Sequence, residues 1–309
     1  MPDIVISEFM DQAAVDSLAA DFEVIYDPQL VDRQDALLAA VASARALVVR
    51  NRTQVRGELL QAASALRVVG RLGVGLDNID LEACKQRSVV VHPAIGANDA
   101  AVAEYVIATA MILMRDAFAA GTQVIAGDWP RQRCMGREIG GKVLGLIGFG
   151  GIARETAQRA RALGMHVMAH DPFVAETDLA WKNVERSDLD TLMASADVVS
   201  LHLPLTDGTR GLLDARMIAG MKKGAVLINT ARGGIVDEHA IVESLRTGHL
   251  AGAAIDVFGD EPVTAGSGAR FAGLSNLVLT PHIAGVTQES NVRVSAVTAG
   301  NIRKVLSGK

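Results

Sequence analysis

Short runs of apolar, mostly β-branched residues alternate along the chain with longer segments in which apolar positions recur every three or four residues. The runs before Pro93 lie at residues 3–7, 23–26, 46–50, 66–70 and 89–92. Helical spacing occupies residues 10–20 and 32–42, and Asp32 is the expected N-terminal cap of the second helix. Strands that are apolar throughout and separated by helices are typical of a parallel sheet covered on both faces, so this part of the chain is predicted to be an α/β unit.

The rhythm changes after Pro93, and a second series of strands and helices then begins. Residues 98–116 form a long helical pattern without a breaker, and residues 121–141 follow as an irregular segment. Further strands are predicted at residues 142–147, 165–170, 197–201, 225–229, 253–257 and 277–280, and a final helix at residues 288–306. Two α/β units with a boundary between Pro93 and Asn98 and no flexible linker predict a tight two-domain body with a cleft. Periodicity leaves open which unit the final helix packs on.

Composition narrows the classes of protein to which the chain can belong. A length of 309 residues fits about two domains, and 50% hydrophobic with 21% charged residues is ordinary for a globular enzyme. A net charge of −5 provides no basic field for nucleic acid. The first residues lack the pattern of a signal peptide, and the most apolar stretch, residues 102–114, is too short to span a bilayer. We therefore expect neither a nucleic-acid partner nor a membrane segment.

The cysteine and histidine content argues against a disulfide framework and against a metal site. The two cysteines, Cys84 and Cys134, lie far apart in the sequence, and no clustered His or Cys spacing occurs. A reducing cytoplasm is therefore the expected location, and no metal site is predicted.

A glycine-rich turn lies between a predicted strand at residues 142–147 and a predicted helix at residues 154–164. The turn reads Gly148-Phe149-Gly150-Gly151-Ile152-Ala153, which has the G-x-G-x-x-A spacing of a dinucleotide-binding loop. Gly148 permits the tight turn, Gly150 lets the backbone approach a pyrophosphate, and Ala153 keeps the helix close to the strand. N–H groups at the start of the helix can then hold phosphates. Taken alone, the motif leaves open a glycine turn without a ligand.

The next predicted strand adds an acidic residue at the position that a dinucleotide-binding fold requires. The strand ends in Asp171, 18 residues after Ala153. A carboxylate at about this spacing accepts hydrogen bonds from the ribose hydroxyls of the adenosine. Because a carboxylate repels a 2′-phosphate, the sequence predicts NAD rather than NADP as the cofactor.

Further motifs in the second half of the chain resemble those of one enzyme family. They are residues 229–237 (NTARGGIVD), residues 256–262 (DVFGDEP) and residues 280–285 (TPHIAG). Together with the glycine loop, they are similar to the motifs of the D-isomer-specific 2-hydroxyacid dehydrogenases. Residues 70–80 (GRLGVGLDNID) resemble the substrate loop of the phosphoglycerate dehydrogenase branch. The resemblance covers essentially the whole chain.

The resemblance implies an α/β architecture of two doubly wound parallel-sheet domains. A Rossmann nucleotide domain is inserted into a smaller, flavodoxin-like substrate domain, to which the final helix returns. Carried onto this chain, residues 1–97 and 288–309 form the substrate domain, and residues 98–287 form the NAD-binding domain. Because family members are usually dimeric through the nucleotide domain, the resemblance also implies a homodimer, with the helix from Asn98 and the segment after it in the interface.

The catalytic residues implied by the resemblance are Arg232, Glu261 and His282. A histidine can take or give the hydroxyl proton near neutral pH, because the reference pKa of its side chain is about 6.5. Glu261 is expected to hydrogen-bond the other ring nitrogen of His282 and to favour the imidazolium. Arg232 offers a planar permanent charge that can bind the substrate carboxylate. Taken singly, each of the three residues has an alternative interpretation as a structural or surface residue.

Other contacts are carried over by matching positions. The expected cofactor contacts, besides Gly148, Gly150 and Asp171, are Val74, Gly151, Ile152, Leu203, Pro204, Thr206, Thr230, Ala231, Asp256, Ala284 and Gly285. The substrate carboxylate is expected to bind the backbone N–H groups of Leu72, Gly73, Val74 and Gly75, together with Arg232 and His282.

Two arginines at the end of a predicted strand, Arg50 and Arg52, suggest that the substrate carries a second anionic group. The alternative is that one or both are solvated or paired with an acidic residue. The family's small dianionic substrates are 3-phosphoglycerate and sulfolactate, and residues 4–11 and 50–55 resemble the members that act on (S)-sulfolactate.

The competing function is a non-enzymatic NADH-sensing corepressor of the same fold. A peptide-binding surface and long tails would support it, and the sequence shows no tails. Because nothing follows Lys309, we also expect no C-terminal regulatory domain of the kind that long phosphoglycerate dehydrogenases carry.

Overall fold

The computed structural model describes residues 2–308 and places their strands in two separate parallel sheets. The residues divide into two units, of which the first runs up to Asn98 and resumes at Val286, while the second comprises Asp99–Gly285. The strands are β1 (Ile4–Ile6), β2 (Val24–Tyr26), β3 (Ala46–Val49), β4 (Val68–Arg71), β5 (Val90–Pro93), β6 (Val143–Ile147), β7 (His166–His170), β8 (Glu185–Arg186), β9 (Val198–Leu201), β10 (Val226–Asn229), β11 (Gly252–Ile255) and β12 (Leu277–Leu279).

Helices connect most of the successive strands, as is usual between parallel strands. They are α1 (Gln12–Ala19), α2 (Gln34–Val41), α3 (Gly57–Ala62), α4 (Leu81–Gln86), α5 (Asp99–Arg115), α6 (Gly121–Ile125), α7 (Gly151–Ala162), α8 (Leu189–Ser195), α9 (Ala215–Ala219), α10 (Glu238–Arg246), α11 (Ala265–Gly268) and α12 (Gln288–Leu306). None of these helices, within residues 2–308, has the length and apolar character that a membrane span needs.

The first unit has the strand order β2-β1-β3-β4-β5, which is the doubly wound order of flavodoxin. All four residues of β3 are buried, as expected for a central strand covered on both faces. Residues of α1 and α12 pack on one face, and residues of α2 and α3 pack on the other. The final helix therefore belongs to this unit. A Cβ at Gly70 in β4 would lie 2.8 Å from Cγ2 of Thr298, so the glycine allows α12 to approach the sheet closely.

The second unit has the order β12-β11-β10-β9-β6-β7-β8 and so repeats the Rossmann topology with one added strand. Helices α5 and α7 contribute to the core on one face, and α8, α9 and α10 contribute to the core on the other. Strand order reverses between β6 and β9, and in such sheets ligands bind outside the carboxyl ends of the strands at the reversal. The predicted class of two doubly wound α/β units is confirmed.

Some local predictions were wrong. Asp32 does not cap α2, because residues 30–32 form a turn of 3-10 helix and Arg33 is the N-cap. The segment at residues 121–141 begins with a short helix, α6, and is not irregular throughout. Helix α7 starts at Gly151, three residues before the predicted start, so that the glycine loop itself supplies the first turn.

Candidate active site

The glycine loop after β6 leaves the start of α7 open on its outer side. Gly148 has a φ of +87°, and a Cβ there would lie 2.5 Å from the carbonyl oxygen of His202, so the turn requires glycine. Gly150 is the N-cap of α7, makes no side-chain cap and would meet nothing within 4 Å if it carried a Cβ. The uncapped first turn, which contains Gly151 and Ile152, is suited to hold the phosphates of a dinucleotide.

Asp171 lies beside this loop at the end of β7. Its Oδ2 accepts a hydrogen bond from the Phe149 N–H at 2.8 Å, and its Oδ1 accepts one from the Phe173 N–H at 2.9 Å. The bonds fix the carboxylate against the glycine loop. Each carboxylate oxygen keeps a second lone pair that can accept a hydrogen bond from a hydroxyl group.

Asp99, the first residue of α5, is an acidic neighbour of the loop that the sequence analysis did not identify. Its Oδ2 lies 2.2 Å from the place that a Cβ of Gly151 would occupy, so no side chain fits at position 151 without displacing Asp99. Burial raises the pKa of Asp99, and the nearby Glu155 raises it further. The site where α7 begins therefore pairs a helix N-terminus with a carboxyl group that takes up a proton more readily than usual.

The loop after β9 continues the wall beside Gly148. The Cδ2 atom of Leu203 lies 3.0 Å from the Cβ position of Gly148, and the Thr206 N–H donates to Oγ1 of Thr209 at 2.8 Å. Burial lowers the pKa of His202 to about 3, so this histidine stays neutral near pH 7. Its Nε2 lies 3.0 Å from Oγ of Ser200 at the end of β9.

Arg232 follows the carboxyl end of β10 in a turn held by Asn229. The Asn229 Oδ1 accepts the Ala231 N–H at 3.0 Å, and its Nδ2 donates to the Arg232 carbonyl at 3.0 Å. The Arg232 Nη1 donates to the Ala231 carbonyl at 2.6 Å. In the same turn, Oγ1 of Thr230 is buried without a hydrogen-bond partner. An orphaned hydroxyl of this kind fits a bound molecule that completes its hydrogen bonding.

His282 and Glu261 are brought together although 21 residues separate them. The His282 Nδ1 and Glu261 Oε2 lie 2.7 Å apart, and Glu261 Oε1 accepts the Phe258 N–H at 2.9 Å. Burial would raise the pKa of Glu261, but the hydrogen bonds from His282 and Phe258 and the positive charges of His282 and Arg232 outweigh it, so the pKa is lowered. Glu261 therefore stays ionised and orients the ring so that Nε2 is the nitrogen left for a substrate.

Asp256 fastens the loop that carries His282, a role that the sequence analysis did not predict. Its Oδ1 accepts from Thr280 Oγ1 at 2.6 Å and from the Ile283 N–H at 2.8 Å, and its Oδ2 accepts from the Ala284 N–H at 2.9 Å. Asp256 also accepts the His282 N–H through its own carbonyl at 2.8 Å. His282 has a φ of +54°, which is uncommon for a non-glycine residue, and these bonds hold it there.

In the first unit, the predicted substrate loop follows β4. Gly73 has a φ of +141°, and a Cβ there would overlap Nη1 of Arg71. The Leu72 N–H donates to the Val49 carbonyl and the Gly73 N–H to the Arg71 carbonyl, both at 2.8 Å. The N–H groups of Leu72 and Gly73 are therefore bonded to backbone carbonyls, and both residues are buried, whereas Val74 and Gly75 are more exposed. Binding of a carboxylate by this loop stays a prediction.

Arg50 follows β3 at the same edge of the sheet. Its Nη2 donates to Oδ1 of Asn291 at the start of α12, and its guanidinium carbon lies 5.7 Å from the centre of the Phe9 ring. Burial lowers the pKa of Arg50, and the charge of Glu8 opposes this. Arg52 instead forms an exposed ion pair with Asp32, so the alternative of internal pairing holds for Arg52.

No group of three potential metal ligands lies close together within residues 2–308.

Comparison with known proteins finds dehydrogenases that are similar to this chain in sequence and in structure. Residues 107–284 match the model for the D-isomer specific 2-hydroxyacid dehydrogenase NAD-binding domain. The chain is 55% identical over 307 residues to (S)-sulfolactate dehydrogenase of Chromohalobacter salexigens, with 99% of both chains covered. It is 38% identical to D-3-phosphoglycerate dehydrogenase of Archaeoglobus fulgidus, covering 99% of this chain and 57% of that protein. The crystal structure of Aquifex aeolicus D-lactate dehydrogenase with NAD and lactic acid superposes with a TM-score of 0.85 at 27% identity, covering 99% and 95% of the two chains.

Proposed function

Because the chain belongs to the D-isomer specific 2-hydroxyacid dehydrogenase family, we propose that it is an NAD-dependent dehydrogenase of a small 2-hydroxy acid that carries a second anionic group. (S)-Sulfolactate is the first candidate, since the relative that is 55% identical along the whole chain acts on it, and 3-phosphoglycerate is the second. The observation that carries the proposal is the Glu261–His282 pair, which lies beyond the carboxyl edge of the sheet that bears the glycine loop.

His282 is the proposed acid and base. Oxidation of a 2-hydroxy acid removes the hydroxyl proton as hydride leaves the same carbon, and Nε2 of His282 takes that proton, or returns it in the reverse direction. The ionised Glu261 stabilises the imidazolium through the bond to Nδ1. Arg232 binds the carboxylate next to the reacting carbon, because its planar fork matches the two oxygens of a carboxylate.

The second unit is proposed to bind NAD, as part of an NAD-binding domain at residues 98–287. NAD accepts or supplies the hydride when it is bound. The first turn of α7 holds its phosphates, Asp171 accepts the adenosine ribose hydroxyls, and the loop of Leu203, Pro204 and Thr206 borders them. The remaining proposed contacts, toward the nicotinamide, are Thr230, Ala231, Asp256, Ala284, Gly285 and Val74.

The first unit, with residues 1–97 and 288–309 as its proposed domain, supplies substrate contacts. The N–H groups of Val74 and Gly75 bind the substrate carboxylate, and Arg50 binds the distal anion. Arg50 makes no ion pair with an acid of the described residues, and its hydrogen bond to Asn291 goes to a neutral group. A cation held in this way is available to an anionic ligand.

The enzyme is further proposed to be a cytoplasmic homodimer that associates through α5 and the segment after it. Large apolar side chains in this part of the chain are exposed, among them Phe118 at 68%, Ile125 at 89% and Trp129 at 74%. Exposed apolar residues at this density in one segment are typical of a surface that a second copy covers.

A panel of 2-keto acids tests the proposed function. With NADH oxidation followed at 340 nm, sulfopyruvate and 3-phosphohydroxypyruvate are expected to be reduced with a higher kcat/KM than the monoanions pyruvate and glyoxylate. Arg50→Ala run alongside is expected to lower kcat/KM for the dianions more than for the monoanions, because only the dianions carry the distal group. Equal losses on both classes would show that Arg50 does not bind that group, and inactivity on every acid would refute the function.

Asp171→Ala is expected to change the choice of cofactor. Removal of the carboxylate deletes both the acceptor for the ribose hydroxyls and the charge that repels a 2′-phosphate. We expect Kd for NADH to rise about tenfold, since one or two hydrogen bonds to a charged group are lost, and the NADH-to-NADPH preference to narrow. Fluorescence titration of both dinucleotides measures this, with Asp190→Ala, a change at an exposed carboxylate on α8, as the control. An unchanged preference would remove Asp171 from the ribose site.

A further inference from the structure

Arg50 is hydrogen-bonded to the side-chain amide of Asn291, and the donors of the guanidinium determine which end of that amide faces it. A guanidinium has donors only, so the Asn291 side chain must present its oxygen to Arg50, and it does so. The amide nitrogen Nδ2 then points away from the guanidinium. Within residues 2–308, no group accepts a hydrogen bond from this nitrogen, and the residue is only partly buried. Arg50 and Asn291 therefore both present N–H donors from one hydrogen-bonded unit.

The backbone beneath this pair is held rigidly by the buried Glu8. Its Oε1 accepts the N–H groups of Arg50 at 2.8 Å and Thr53 at 3.0 Å, and its Oε2 accepts the Arg52 N–H at 3.2 Å. Asn78 adds bonds from Nδ2 to the carbonyls of Arg50 at 3.1 Å and Thr53 at 2.7 Å. The carboxylate of Glu8 is thus used on the backbone, and it ties together the N–H groups of the loop that carries Arg50.

We propose that Asn291 is a specificity-determining residue that binds the distal anion of the substrate through Nδ2 while Oδ1 positions the Arg50 guanidinium. The inference rests on the proposed function and extends it to a second residue of the substrate site. A tetrahedral oxyanion has several oxygens, so the Arg50 guanidinium and the Asn291 Nδ2 can each donate a hydrogen bond to a different one. Phe9 lies against the guanidinium and limits its other orientations.

The donor set selects the chemical class of the distal group. With Oδ1 occupied by Arg50, the pair offers donors and no acceptor, which suits an oxyanion without a hydroxyl hydrogen. A sulfonate is in that state at every pH of interest, whereas a phosphate monoester loses its second proton only near pH 6. Sulfonate and phosphate share the recognition chemistry, so sulfopyruvate and 3-phosphohydroxypyruvate are separate arms of the test.

The test compares Asn291→Ala, Asn291→Asp and the control Val292→Ala, which alters an exposed neighbour on the same helix. The quantity measured is the ratio of kcat/KM for each dianion to kcat/KM for pyruvate. Asn291→Ala is expected to lower this ratio about tenfold, mainly through KM, because one hydrogen bond to a charged group is lost. Asn291→Asp is expected to lower it further, since a carboxylate pairs with Arg50 and repels the ligand. A larger loss for sulfopyruvate than for 3-phosphohydroxypyruvate would identify the sulfonate as the group that is bound.

An unchanged ratio in Asn291→Ala, or an equal loss on pyruvate and the dianions, would overturn the proposal, because a merely structural role affects both substrates. Circular dichroism of the three variants checks that the fold persists. If the wild-type protein reduces no keto acid, the proposed function is refuted, but the proposed role of Asn291 is not yet decided by that result. Calorimetric titration of wild type and Asn291→Ala with sulfolactate then still decides the role of Asn291, since equal affinity contradicts it and a tenfold loss supports it.

Discussion

His282→Ala is expected to reduce kcat by about 10²- to 10⁴-fold, the usual contribution of a positioned general acid and base. The ring is held by the 2.7 Å contact with Glu261, and its backbone is held by Asp256, so a methyl group at this position leaves no group able to move the proton. The glycine loop and Asp171 are unaffected by the change. NADH is therefore expected to bind as before, and fluorescence titration measures this beside stopped-flow or steady-state rates.

A companion variant separates the two residues of the pair. Glu261→Gln keeps the shape of the side chain and removes its negative charge. In the native site, His282, Phe258 and Arg232 lower the pKa of the Glu261 carboxyl group and so keep it ionised. Glu261→Gln is expected to retain more activity than His282→Ala. In the direction of 2-hydroxy acid oxidation, where His282 acts as the base, the acidic limb of the kcat/KM profile is expected to move to lower pH, because the imidazolium loses its anionic partner. Turnover preserved in His282→Ala would refute the assignment of the acid and base.

Arg232→Ala is expected to lower kcat/KM by about 100-fold or more. The side chain is the proposed partner of the substrate carboxylate, and loss of one member of a buried, hydrogen-bonded charge pair costs about 2–5 kcal/mol. Both KM and kcat are expected to suffer, because the carboxylate also orients the reacting carbon.

Arg232→Lys serves as the matched variant for this second prediction. Lysine keeps the charge but not the planar fork, so it is expected to restore only part of the lost kcat/KM. Steady-state kinetics with sulfopyruvate and pyruvate, together with NADH titration, distinguishes the possible roles. A change confined to NADH affinity would contradict carboxylate binding by Arg232.

Local sequence patterns predicted the sheets well because burial on both faces leaves a direct mark on the sequence. Strands β3 and β6 are apolar runs whose side chains are almost wholly buried. The last helix was predicted with its observed bounds, since Thr287 makes a capping box with Ser290 and apolar positions recur to Leu306. Strand β8, with two exposed residues, carries no such mark, and α6 begins at a glycine within a polar segment.

The polar partners of the site were harder to predict, because they join distant parts of the chain. Asn291 lies 241 residues from Arg50, and Asp32 lies 20 residues from Arg52, so sequence spacing does not reveal which arginine is internally paired. Resemblance to a family pointed to Glu261 and His282, but the anchoring by Asp256 depends on bond directions that only the folded loop defines. Likewise, the use of the Leu72 and Gly73 N–H groups within the backbone follows from the turn geometry.

The return of α12 to the first unit bears on the order in which the protein matures during synthesis. By the time a ribosome has added Gly285, every strand of both sheets has been made, and the second unit is contiguous and complete. The first unit still lacks the helix that covers Gly70 and its neighbours in β4. One apolar face of its sheet is therefore incompletely covered until the last residues of the chain have been added. Domains generally fold as units as they emerge. The second unit can therefore form first, and the partnership of Arg50 with Asn291 is among the last contacts that the newly made chain acquires.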